Sequence, residues 1–354
     1  MNFYAIPDLL SNDMLVALMS ILVALLASVY IMPEVIKRMR QAGFVGRDVN
    51  KPDHPKVAEM GGVGLVLSVT VALTLVGGAL VFFNVLEDAT GIYSALAVVF
   101  IASYIGLFDD IAVISRKNKA IGLLLAGLPL AVARPGYALI VVPFYGDISL
   151  WHYYPLYITF WVIVVPLGVL AAANAFNMAA GYNGMESGQT AIISAFLMLI
   201  SIVYDCDVLG TMIFAVTFGA SIGIYKYNRY PSKTFVGDIG TLCMGALIAV
   251  GAIYTGLEFY AVLLIIPMFY EGIATAYYSY KKIERRGACM HPVINDDGTL
   301  QPPKGAERFT LAFFLLSKKR MDEKNLVYTI QAIYVVLGVI ALSLSVICVL
   351  VGWV

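Results

Sequence analysis

The chain has 354 residues, of which 60% are hydrophobic and only 13% charged. Soluble domains carry about 25% charged residues, so an ordinary globular enzyme and a disordered protein are both excluded. The 23 Lys and Arg balance the 23 Asp and Glu, which leaves no broad basic surface and argues against a nucleic-acid partner.

A helix needs about 20 apolar residues to cross a bilayer. On that measure residues 1–354 read as one all-α polytopic membrane protein, a single integral membrane catalytic domain with about ten transmembrane helices. The spans fall near 12–33, 61–83, 92–108, 120–133, 154–173, 190–204, 208–226, 239–257, 259–279 and 326–353. The first is not expected to be a cleaved signal, because Asp8 and Asp13 lead into it and no basic residue does. The fourth is short and interrupted by Pro129. Between the fourth and fifth, Pro135 to Tyr154 carries β-branched and aromatic residues broken by Pro143, Gly146 and Asp147, the pattern of a small interfacial β-hairpin. The cysteines (Cys206, Cys243, Cys289, Cys348) stand far apart and imply neither a zinc site nor a disulfide framework.

Alternate connections, 34–60, 109–119, 174–189, 226–238 and 280–325, hold 22 of the 23 Lys and Arg, and Arg134 alone falls in the other set. Basic residues accumulate on the cytoplasmic side. The expected protein is therefore integral to a plasma or ER membrane, with these loops in the cytoplasm and both termini opposite. Polar capacity is concentrated on the inner face, and function is sought there.

The third span ends in Gly106-Leu107-Phe108-Asp109-Asp110. Two carboxylates at a helix C-terminus oppose its dipole. They are either solvated at the interface or form a cluster that attracts Mg²⁺ or takes a proton from a phosphate. Lys119 follows nine residues after Asp110, and alone it reads as a snorkelling anchor. The fifth span runs into Asn174-Ala-Phe-Asn177, two amides on one helical face, then Gly181, Asn183, Gly184, Glu186, Gly188 and Gln189. Interhelical polar contact explains a single amide but not this density without Lys or Arg. Asp238, after Phe235-Val236-Gly237, is either an N-cap or a metal ligand at a positive helix end, and Phe235 is either interfacial packing or a stacking platform. The first inner loop carries Arg47-Asp48-Val49-Asn50-Lys51 and Glu59. The last carries ten Lys and Arg with His291 and Arg308 among its residues, either lipid-facing charge or a lid that binds sugar.

In this order the motifs GLFDD, NAFNMAAGYNG and YPSKTFVGD, with the Asp110-to-Lys119 spacing, resemble the polyprenyl-phosphate N-acetylhexosamine-1-phosphate transferase family (glycosyltransferase 4 type). The likeness runs from Asp48 to the loop around His291 and is nearest to the eukaryotic and archaeal branch that uses UDP-GlcNAc and dolichyl phosphate. It implies that Asp109 and Asp110 are the paired catalytic aspartates, Lys119 the phosphate-binding lysine, and Asn177 and Asp238 the Mg²⁺ ligands. It further implies substrate contacts from Asp48, Asn50, Lys51, Glu59, Asn174, Asn183, Phe235, His291 and Arg308.

The expected cofactor is Mg²⁺, and the expected partners are UDP-GlcNAc, polyprenyl or dolichyl phosphate and the lipid bilayer, with a homodimer left open. The histidine-rich motif of the bacterial branch is missing, since the only histidines are His54, His152 and His291. An Arg-His-Arg cluster of the eukaryotic branch is replaced by Ala288-Cys289-Met290-His291-Pro292, with Lys304 and Arg308 as candidate substitutes. The implied reaction transfers GlcNAc-1-phosphate to the lipid phosphate and releases UMP. The rivals are the same reaction with another UDP-N-acetylhexosamine and, in a different class, a transporter or flippase, which would expect ionisable groups near mid-membrane.

Overall fold

The computed structural model describes residues 13–134, 139–150, 152–284, 286–289 and 291–352; Asp8, Pro135 and Met290, which entered the sequence reading, lie outside these. Nine described helices are long and apolar enough to cross a membrane. In chain order the long and short helices are α1 (Asp13–Gln41), α2 (Gly62–Phe82), α3 (Thr90–Ile111), α4 (Arg116–Ala126), α5 (Leu128–Ala133), α6 (Tyr154–Met178), α7 (Met185–Val203), α8 (Val208–Asn228), α9 (Gly237–Thr255), α10 (Glu258–Tyr280), α11 (Leu311–Lys318) and α12 (Glu323–Val351).

The expected fourth span is α4 and α5 in series. Pro129 has no N–H to give a continuous helix, and the chain breaks at Gly127, leaving pieces of eleven and six residues. Helix α1 outruns its expected end at residue 33: it passes through Pro33 and carries Lys37, Arg38 and Arg40 on its last turns. Glu34 pairs there with Arg38 at 2.6 Å, so the first inner connection starts later than the apolar run suggests.

The expected hairpin is present as β3 (Leu139–Val142) against β4 (Gly146–Ser149), with Val141 N–H donating to Gly256 O at the C-terminal end of α9. Two further hairpins, outside the sequence reading, fold the loops 42–61 and 281–310. One pairs β1 (Val45–Arg47) with β2 (Lys56–Ala58), and the other pairs β5 (Val293–Ile294) with β6 (Leu300–Gln301). A bridge from Ala58 to Thr234 joins the α1–α2 loop to the segment that starts α9.

Helix α9 is apolar on every side and is buried along nearly its whole length, as expected of a helix surrounded by others. It packs against α3, α6 and α8. Close approach is possible because glycines face backbone at the contacts. A Cβ on Gly106 of α3 would lie 2.4 Å from Asp238 O, and one on Gly245 would lie 2.4 Å from Ala172 O of α6. These contacts fix the N-terminus of α9 against the ends of α3 and α6, where the polar motifs lie.

A Gly106→Ala substitution should therefore destabilise the protein by about 1–3 kcal/mol through overpacking against backbone. Gly78→Ala, with nothing within 4 Å of the added carbon, should be neutral or slightly stabilising. Melting of both variants in detergent checks this; equal melting points would contradict the close α3–α9 contact.

Candidate active site

Asp109 and Asp110 are neighbours in sequence, but consecutive helical residues point about 100° apart, and the two carboxylates have different surroundings. Asp110 turns toward α9 and accepts the N–H of Asp238 at 2.8 Å and that of Ile239 at 3.0 Å, one on each oxygen. It thus closes the free amides at the start of α9, where the helix dipole favours an anion. Gly237 makes room for it: its φ is +73°, and a Cβ there would lie 2.7 Å from Asp110 Oδ2.

Asp109 faces a cavity of about 790 Å³. Its Oδ1 accepts the Ile114 N–H at 2.7 Å, and its Oδ2 accepts from Lys119 Nζ at 2.9 Å. The same ammonium donates to Asp238 Oδ2 at 2.5 Å and to Asn177 Oδ1 at 3.3 Å. The Asn177 amide is oriented by its NH₂ group, which donates to Asp238 Oδ1 at 2.7 Å and to Thr241 Oγ1 at 2.9 Å. Three oxygens from α3, α6 and α9 thus converge on one cation of α4. Arg116, one turn before Lys119, and Asn174, one turn before Asn177, line the same cavity.

Among the described residues no three His, Cys, Asp or Glu side chains come together as a metal site. The set here is two carboxylates and an amide, all hard oxygen donors of the kind Mg²⁺ accepts alongside phosphate oxygens. These residues fit such an ion. Asp109 and Asp238 carry two negative charges against one on Lys119, so the cluster is short of positive charge by one.

Asp48, Lys51 and Asn183 form a second, separate block that does not line the cavity. The Lys51 ammonium bonds to Asp48 Oδ2, to Asn183 Oδ1 at 2.8 Å and to Glu323 Oε2 at 3.0 Å, and it lies 4.7 Å from the centre of the Tyr230 ring. Glu323 Oε1 accepts the Asn183 N–H at 2.8 Å and the Asn50 amide at 3.2 Å. Asn50 also donates to Gly181 O at 3.0 Å, and both Asn50 and Gly181 do reach the cavity wall. The buried block thus joins the α1–α2 loop, the turn after α6 and the first residue of α12.

Of the other residues singled out from the sequence, Glu59, Phe235, His291 and Arg308 do not line the cavity, and the last two are exposed. Phe235 contributes backbone: its N–H donates to Ala58 O and its carbonyl accepts from Gly61. Arg308 likewise offers its carbonyl to Tyr270.

Residues not foreseen as site residues include Glu323, Thr241, Arg116 and Glu271. Glu271 is a carboxylate inside the apolar run of α10, a placement that is itself a functional flag. It lines the cavity and accepts the Leu311 N–H at 2.8 Å, capping α11. Burial, then the negative charges of Glu323 and Glu271, push the Tyr182 hydroxyl on the cavity wall well above its ordinary range, so it remains protonated.

Residues 92–256 match the family described as glycosyl transferase family 4. Beyond it, the chain is 28% identical over 274 residues, 76% of this chain and 80% of the relative, to a Saccharolobus solfataricus protein provisionally named UDP-N-acetylglucosamine–dolichyl-phosphate N-acetylglucosaminephosphotransferase. A Sulfolobus acidocaldarius protein with the same provisional name is 27% identical over 91% of this chain and 95% of its own. The phospho-N-acetylmuramoyl-pentapeptide-transferase of Desulforamulus reducens is 29% identical over 55% of this chain and 59% of its own. The matched segment contains Asp109, Lys119, Asn177 and Asp238 together, whereas Asn50, Glu271 and Glu323 come from outside it.

Replacing Glu323 by Ala should leave Lys51 paired with Asp48 alone and strip an acceptor from Asn50 and Asn183. The expected loss is about 1–3 kcal/mol, as for buried donors left without a partner. Glu323→Gln, which keeps an acceptor oxygen, should lose less. Denaturation in detergent reads the difference, and an Ala variant as stable as wild type would refute the block's role.

Proposed function

We propose that the protein transfers N-acetylglucosamine 1-phosphate from UDP-N-acetylglucosamine to a polyprenyl phosphate of the dolichyl type, releasing UMP and leaving a lipid-linked pyrophosphoryl sugar. An oxygen of the lipid phosphate attacks the β-phosphorus. The bond from that phosphorus to the oxygen bridging the α-phosphate breaks, and the electron pair leaves with UMP. The observation that carries this reading is the convergence of Asp109, Asn177 and Asp238 on the Lys119 ammonium at a cavity wall, within a segment that matches glycosyl transferase family 4 and in a chain similar to relatives provisionally named for such transfers.

Phosphoryl transfer is catalysed mainly by positioning and charge neutralisation. Lys119, with Arg116 beside it, offers cationic N–H donors to phosphate oxygens. Asp109, held by the Ile114 amide, fixes the direction of Lys119 and stands where it can orient the acceptor phosphate. Asp110 acts behind it, by setting the first turn of α9 and hence Asp238. Mg²⁺, held by Asn177 and Asp238, would supply the positive charge that the cluster lacks and neutralise the pyrophosphate. The charge count of the cluster and its all-oxygen donors support that cofactor.

The cytoplasmic placement of the site rests on the Lys and Arg distribution. With α4 and α5 counted as one crossing, ten crossings put both termini on the opposite side. A water-soluble nucleotide sugar and a lipid headgroup then meet at the same depth.

Purified protein given tritiated UDP-N-acetylglucosamine, polyprenyl phosphate and Mg²⁺ should yield butanol-extractable label with stoichiometric UMP. EDTA should abolish the transfer and excess Mg²⁺ restore it. Asp238→Ala and Lys119→Ala should each cut turnover about 10²-fold or more while remaining folded. Full activity in EDTA would remove the metal from the scheme, and solute flux without UMP release would replace the enzyme by a transporter.

A further inference from the structure

Of the five buried residues Asp48, Asn50, Lys51, Asn183 and Glu323, Asn50 alone lines the cavity. The other four spend their polar groups on the block itself. Asn183 is committed at both ends of its amide: Oδ1 accepts from Lys51 and from the Ser232 N–H, each at 2.8 Å, and its NH₂ group donates to Asp48 Oδ2 at 3.1 Å. Asn50 is committed at one end only. Its NH₂ group donates to Gly181 O at 3.0 Å and to Glu323 Oε1 at 3.2 Å. A backbone carbonyl and a carboxylate only accept, so they decide which way round the amide stands and hold its NH₂ end toward them. Among the described residues nothing donates to Asn50 Oδ1, and that oxygen is not sealed from solvent.

We infer that Glu323, the first residue of α12, is a positioning residue for the nucleotide sugar: by holding the Asn50 NH₂ group it leaves the Asn50 carbonyl oxygen to accept from that substrate. The inference rests on the reaction proposed above. An acceptor oxygen distinguishes the two substrates of that reaction. UDP-N-acetylglucosamine carries a uracil N–H, ribose and sugar hydroxyls and an acetamido N–H, all of them donors. A phosphate monoester loses its second proton at about pH 6. Above that pH polyprenyl phosphate ends in oxygens that only accept, on a hydrocarbon chain, and has no hydrogen to offer Asn50. Glu323 itself does not line the cavity, so its effect on the substrate passes through the side chain it orients. Without it the Asn50 amide is held by Gly181 O alone and is free to swing or turn over.

Rates of UMP release by the full-length protein in detergent at about pH 8, with each substrate varied in turn, test the assignment. Glu323→Ala should raise KM for UDP-N-acetylglucosamine about fivefold, as for one hydrogen bond lost. KM for polyprenyl phosphate should stay within about twofold of wild type, since that substrate makes no such bond. Glu323→Gln, whose amide oxygen can take the Asn50 NH₂ group, should recover most of the loss. Glu323→Asp keeps a charge for Lys51 but draws the carboxylate back by one methylene; it should raise the same KM, and it serves if the Ala protein does not fold. Because Glu323 acts through Asn50, the Asn50→Ala/Glu323→Ala double variant should have the KM of Asn50→Ala alone. An equal rise in both KM values, no rise in either, additive losses in the double variant, or a Gln variant as impaired as Ala overturns the assignment. Wild-type protein that releases no UMP overturns the proposed reaction itself, and the assignment with it.

Discussion

The bond from Asp110 to the first amides of α9 sets the active end of this protein. Both carboxylate oxygens are committed to backbone N–H groups of Asp238 and Ile239, so the end of α3 cannot rotate or slide relative to the start of α9. Gly106, Gly237 and Gly245 allow the approach. Once it is fixed, the preceding residue Asp109 necessarily points another way, into the cavity, and Asp238 projects beside it. Lys119 then has two carboxylates within reach from two helices that are distant in sequence. A structural carboxylate and a chemical one occupy adjacent positions because a helix turns about 100° per residue.

The two buried lysines show how environment divides one residue type between roles. Lys51 is enclosed by Asp48, Asn183, Glu323 and the face of Tyr230. A ligand could reach it only by dismantling an ion cluster whose separated members would each be costly to leave buried. Lys119 likewise has its three N–H groups on oxygens of Asp109, Asn177 and Asp238, but it stands on the cavity wall, where an entering anion can compete for them without dismantling a buried block. Under the proposed function the Lys51 block would act through what it holds in place, Asn50 and the Gly181–Asn183 turn, while Lys119 would meet the ligand directly.

Much of this was legible in the sequence, and the limits have physical causes. Apolar run lengths located the spans, and Pro129 marked the break in the fourth, because both signals are local. The grouping of Asp109, Lys119, Asn177 and Asp238 was legible through motif order. The division of labour between Asp109 and Asp110 was not, since it depends on which of them meets α9. Glu323 was illegible for a similar reason. It follows the N-cap Asp322 and looks like any first-turn acid favoured by the helix dipole, while its partners at Asn50, Lys51 and Asn183 lie far back in the chain. Glu271 did leave a signal, a carboxylate inside an apolar span, but nothing in its neighbourhood says that α11 will place a backbone amide against it. Phe235 and Arg308 show the converse: conspicuous side chains whose observed hydrogen bonds come from their main chains.

Under the proposed reaction two anions meet next to a low-dielectric membrane, where repulsion between them is felt strongly. A uniformly positive pocket would relieve the repulsion but would hold any polyanion equally well. The observed arrangement instead shares Lys119 among Asp109, Asp238 and Asn177, so an anion that approaches the ammonium has to compete with oxygens already bound to it. A ligand must then offer more than negative charge to be held. Discrimination comes from the contacts a wrong ligand fails to replace as much as from those the right one makes.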